Sequence, residues 1–177
     1  MQSTLNRQTL GDLLRRTRQR MPNKLAIRCG AVDWTYAQFD DICNRLAGGF
    51  AGQGVEIGDR VAIIARNSHA FAAVRFALAR LGAVLVPINF MLNQEDAHYI
   101  LAHSGARMLC VDSEFTALGR AATVDSAVTQ FVWLPAEDPS PVMLSIDASM
   151  LSLERGTDYL FFRAADGVDC APTRAAI

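Results

Sequence analysis

GVEIGDRVAIIARNSHAFAAVRFALARLGAVLVPINFMLNQEDAHYIL, residues Gly54–Leu101, decides the fold. Val61–Ala65 is a short unbroken apolar run, the pattern of a parallel strand buried on both faces. Ser68 is an N-cap, and Phe71, Val74, Leu78 and Leu81 follow at helical spacing until Gly82. Val84–Val86 is a second strand, and Asn93 with Asp96 caps a helix carrying Ala97, Ile100 and Leu101 that stops near Gly105. Strand, helix, strand and helix in that order predict parallel crossover units and an α/β layered fold.

The same pattern extends outward. Downstream, Met108–Val111 reads as strand, Glu114–Ala121 as a short helix and Gln130–Leu134 as strand. Upstream, Thr9 caps a helix running to Arg20, stopped by Met21-Pro22-Asn23 because the residue before proline avoids helical geometry. Lys24–Cys29 and Val32–Tyr36 form a hairpin across Gly30-Ala31. Thr35 then caps a helix with Gln38 as its capping-box partner and an apolar stripe of Phe39, Ile42, Cys43, Leu46 and Phe50. Its glycines, GGFAGQG at Gly48–Gly54, are no dinucleotide fingerprint, which needs a strand before and a helix after. Gly48 and Gly49 are expected to allow close helix packing, and the later pair to serve the C-cap. Residues 1–134 are thus expected as one α/β subdomain. Residues 135–177 read as a linker, a short strand at Tyr159–Phe162 and an irregular, frayed tail.

Composition narrows the function. Half of the 177 residues are apolar and the formal net charge is −1, which argues against a nucleic-acid partner or a polybasic membrane patch. No apolar run is long enough to span a bilayer, and the N-terminus carries no signal-peptide core. Cys29, Cys43, Cys110 and Cys170 are scattered without metal-ligand spacing, and Cys43 and Cys110 read as reduced core residues, so the expected setting is cytoplasmic. His69, His98 and His103 read as solvent-facing or helix-end residues rather than a metal site. Asp40-Asp41 and Glu95-Asp96 read as acidic residues near helix N-termini, favoured there by the macrodipole. Lys24 is the only lysine and sits in no recognisable site.

Four stretches in unbroken order resemble the N-terminal part of the adenylate-forming superfamily, which includes acyl-CoA synthetases. They are WTYAQFDDICNRLAGGF (Trp34–Phe50), GVEIGDRVAIIARNS (Gly54–Ser68), LARLGAVLVPIN (Leu78–Asn89) and NQEDAHYILAHSGARMLCVD (Asn93–Asp112). The flavour of INFMLN is closest to synthetases for fatty or aryl acids. The resemblance implies an ATP-dependent parent that adenylates a small carboxylic acid and transfers it to CoA, with ATP, Mg²⁺ and CoA bound only in full-length relatives. The family's glycine-rich phosphate loop, metal-binding Glu, ribose-binding Asp and C-terminal lysine are not found here as the family writes them, so no cofactor and no catalytic or metal-binding residue is assigned to this chain. Aligning Gly167 with the loop's first glycine puts Pro172 on its proline. Ala165, Asp166, Val168, Asp169, Cys170 and Thr173 stand where Thr, Ser, Thr, Thr, Gly and Lys belong, so two acids would meet phosphate. Coincidence accounts for the match equally well.

A second departure is Asn89-Phe90-Met91-Leu92, where many relatives have Asn-Pro-Arg-Leu and the arginine can face the CoA nucleotide. Asn89, Phe90 and Met91 are therefore candidates for a substrate- or CoA-facing loop. The preferred alternative is that Phe90 and Met91 simply pack. Two classes of function stay open: a non-catalytic piece of an acid–CoA ligase, or a stand-alone module binding a ligand or a protein. Apolar surface that longer relatives would cover makes self-association the expected partnership.

Overall fold

The computed structural model describes residues 9–134, 160–163 and 173–174. Helix α1 (Leu10–Arg20) leads into the antiparallel pair β1 (Leu25–Cys29) and β2 (Val32–Thr35), joined by Gly30-Ala31 as expected. There follow α2 (Tyr36–Gly52), β3 (Arg60–Ile64), α3 (His69–Leu81), β4 (Val84–Ile88), α4 (Gln94–Ser104) and β5 (Met108–Asp112). A 3₁₀ turn at Ser113–Phe115, α5 (Thr116–Ala122) and β6 (Gln130–Leu134) complete the continuous part. Strands β7 (Leu160–Arg163) and β8 (Thr173–Arg174) extend the main sheet, whose order is β4-β3-β5-β6-β7-β8. Its first four strands are parallel, and β7 and β8 are added antiparallel.

Side-chain alternation along each strand splits the core in two. Val61 and Ile63, with Met108, Cys110, Val132 and Leu134, face α1, α2 and α3, while Ala62, Ile64, Leu109 and Val111 face α4 and α5. The two faces follow from handedness. The β3–β4 crossover runs one way along the sheet and the β4–β5 crossover the other, so right-handed connections put their helices on opposite faces.

The caps fall where the residue types demanded. Thr9, Thr35, Ser68 and Asn93 each accept a backbone N–H from three residues ahead, and Thr35 with Gln38 makes the full capping box. Gly82 and Gly105 close α3 and α4 at φ 73° and 66°, in the left-handed region open to glycine.

Several expectations need correcting. Gly48 allows no close packing: a Cβ there would meet nothing within 4 Å. Of the later glycines, Gly52 is the last helical residue and Gly54, at φ 83°, makes the turn. Strand β4 runs on to Ile88, since Pro87 is tolerated on a strand with no described neighbour on its outer side. The short helix begins later than Glu114, because Asp112 first caps a 3₁₀ turn. The tail after Arg163 is not wholly irregular, because Thr173–Arg174 pairs with β7.

Asp40 is the largest correction. It lies in the second turn of α2, only 3% exposed, and accepts hydrogen bonds from Arg18 of α1 and Arg80 of α3. Arg80 also donates to Asn44. Burial alone raises the Asp40 pKa, but the two guanidinium groups outweigh it and hold the carboxyl below its ordinary value. One carboxylate thus ties the three helices of that face together. Asp41 is exposed and shares Arg18, while Glu95 and Asp96 occupy the first turn of α4 as expected.

Candidate functional site at the carboxyl edge of the parallel strands

In an open α/β sheet, ligands bind outside the carboxyl ends of strands whose connections leave for opposite faces. Here the chain leaves β3 toward one face, and leaves its two neighbours β4 and β5 toward the other. The crevice therefore opens over the end of β3, and three segments meet there: Arg66 after β3, Asn89–Met91 after β4, and Ser113–Phe115 after β5.

These segments interlock through side chains. Arg66 donates from Nε and Nη2 to the two carboxylate oxygens of Glu114, both at 2.8 Å. Its guanidinium carbon sits 4.9 Å from the Phe90 ring centre and 5.6 Å from that of Phe115. Those two rings stack, with centres 5.0 Å apart and planes 24° from parallel. The Arg66 fork holds the Glu114 carboxyl below its ordinary pKa. Asp112 accepts from the Glu114 N–H and the Ser113 hydroxyl, so it shapes the turn below.

The predicted loop divides. Phe90 is half-buried and packs on Phe115, whereas Met91 is 79% exposed. Packing explains the first residue and not the second. Asn89 turns its Oδ1 back to accept the Met91 N–H at 3.0 Å, an Asx turn that shapes the loop. Gly167 and Pro172 lie outside the described residues. Arg163, the last described residue before them, pairs with Gln130 at the opposite edge of the sheet from Asn89–Met91.

The histidines form no site. His69 is helix-end but not solvent-facing: it opens α3 at 2% exposed, edge-on to the Trp34 ring with centres 5.0 Å apart. His98 Nδ1 lies 3.0 Å from the Ala122 carbonyl oxygen, and His103 stacks on Tyr99. Cys43 and Cys110 are buried free thiols, and burial pushes Cys43 up to about 12 and Cys110 higher still. Neither can serve as a thiolate nucleophile. Among the described residues no cluster of His, Cys, Asp or Glu could hold a metal ion, and no helix is long and apolar enough to cross a membrane.

At this edge the Glu114 carboxylate is engaged by Arg66, and Asp112 by the Ser113 hydroxyl and the Glu114 N–H. Arg66, Glu114 and Phe115 were not picked out from the sequence. Their partnership joins residues 48 apart, and Glu114 read there only as the start of a helix.

A family model described as AMP-binding enzyme matches residues 14–157. The long-chain-fatty-acid–CoA ligase FadD13 of Mycobacterium tuberculosis is 32% identical over 144 residues, covering 80% of this chain and 29% of that protein. A feruloyl-CoA synthase from an Amycolatopsis species is 38% identical over 105 residues, covering 59% of this chain and 21% of that one. The chain thus spans less than a third of the length of either relative. Among solved structures, the N-terminal domain of FACL13 from Mycobacterium tuberculosis superposes with a TM-score of 0.66 at 30% identity, covering 83% of this chain and 38% of that one.

Proposed function

The chain belongs to the AMP-binding enzyme family, and from that membership we propose that it supplies the N-terminal α/β layer of an ATP-dependent acid–CoA ligase. Such enzymes join a carboxylate to AMP and pass the acyl group to the thiol of CoA. The family match over residues 14–157 is the observation that carries the reading. The substrate class proposed is a long-chain fatty or aryl acid, in keeping with the names of FadD13 and the feruloyl-CoA synthase. We assign the work to the cytoplasm, where buried free thiols such as Cys43 and Cys110 stay reduced.

Within this reading Asn89, Phe90 and Met91 form the loop that faces CoA or the acid, and Gly167 with Pro172 is what persists of the phosphate loop. Met91 offers an exposed thioether there, suited to an apolar part of a ligand and not to a phosphate. The described residues of this edge do not fit ATP and Mg²⁺. The charge of Arg66 is taken up by Glu114, and no carboxylate cluster stands ready for a metal.

We further propose that the 177-residue polypeptide does not adenylate by itself. The purified protein, given ATP, Mg²⁺ and either ferulate or a long-chain fatty acid, should show no acid-dependent exchange of pyrophosphate into ATP. Measurable exchange above the no-acid control would sink that claim.

A further inference from the structure

We infer that Arg66 is a positioning residue, holding the Asn89–Met91 loop over the end of β3; this rests on the reading of that loop as the ligand-facing one. The backbone ladder joins β3 to its neighbours only as far as Ile64, which pairs with Ile88 on one side and Val111 on the other. Among the described residues, no further ladder pair joins β3 to either neighbour past that point. Among the described residues, Arg66 then reaches both neighbours at once, binding Glu114 with two charge-assisted hydrogen bonds and lying over Phe90 and Phe115.

The arrangement suits a support placed outside the core. The Arg66 and Glu114 side chains are each 53% exposed, so removing either opens no cavity in the sheet. The ring of Phe90 is held by Phe115 beneath a guanidinium, and the next residue is the exposed Met91. Whatever fixes Phe90 therefore fixes how Met91 is presented. Arginine is needed for this rather than any cation. Its planar fork matches both carboxylate oxygens while its face lies over the rings, and a lysine ammonium, a point charge without that fork, cannot hold both contacts in this geometry.

Amide hydrogen exchange on the 177-residue protein tests the inference without any assay of turnover. In Arg66→Met, the Met91 and Leu92 amides should exchange about tenfold faster, while Ile63 and Cys110 in the core strands move less than about twofold. Arg66→Lys should restore less than half of the lost protection, and Glu114→Gln should loosen the same loop. Unchanged loop exchange in Arg66→Met would overturn the assignment. So would equal acceleration in Ile63 and Cys110, the signature of a merely structural role, or full rescue by lysine. A separate arm adds CoA to the wild-type protein. Protection of residues 89–92 supports the ligand-facing reading, and its absence sinks that reading while the variants still decide the support role of Arg66.

Discussion

Replacing Asp40 by alanine is expected to lower unfolding free energy by roughly 3 kcal/mol, read from urea denaturation at neutral pH. The change removes the shared acceptor of Arg18 and Arg80 and leaves Arg80, 15% exposed, without its carboxylate partner. The estimate sits at the low end of the range for a broken buried pair, because Arg18 is partly solvated and keeps Asp41. The effect should depend on pH in a defined direction. The folded Asp40 carboxyl lies below its ordinary value, so its contribution is complete above the unfolded pKa of about 4 and is lost as pH falls through the lower folded value. Asp40→Asn should therefore approach the wild type as both are acidified. A gap between the two that stays constant from neutral pH into the acid limb would show that Asp40 is not the carboxylate linked to folding.

Truncating Phe50 to alanine should cost still more, about 4 kcal/mol. Phe50 is 0% exposed in the last turn of α2, inside the cluster that joins three helices to one face of the sheet. Its carbonyl also receives the Val55 N–H, so the same residue anchors the turn that leads into β3. Against a typical total stability of about 5–15 kcal/mol, that loss removes from about a quarter to most of the margin, which a urea midpoint reads directly. Phe50→Leu keeps most of the volume and should cost well under half as much. Near-identical urea midpoints for wild type and Phe50→Ala would mean that α2 does not pack on the sheet as described.

The caps were legible residue by residue because each is a local bargain: a Thr, Ser or Asn oxygen and a backbone N–H three residues later. The strand at Val61–Ala65 was legible for a similar reason, since a run of apolar side chains suits a position covered on both faces. Asp40 was misread for the opposite reason. Nothing near it in sequence distinguishes a buried carboxylate from one favoured by a helix dipole. Its partners come from 22 and 40 residues away, on two other helices. His69 failed likewise, because the Trp34 ring that covers it arrives from the hairpin. At the candidate site, Asn89, Phe90 and Met91 came from a motif and were found on one edge, but their support on Arg66 depended on which strands became neighbours.

By itself, then, the sequence determined the α/β class, the caps, the parallel strands and the family resemblance, all carried by short-range periodicity and hydrogen-bonding types. Only the tertiary structure decided that Arg66, two residues past the end of β3, would meet the ends of both neighbouring strands. The β3–β4 and β4–β5 crossovers run in opposite directions along the sheet and leave β3 between β4 and β5, and that order places Arg66 between Glu114 and Phe90. Spacing along a chain carries no record of such a meeting, because its energy comes from side chains brought together only after the sheet has formed.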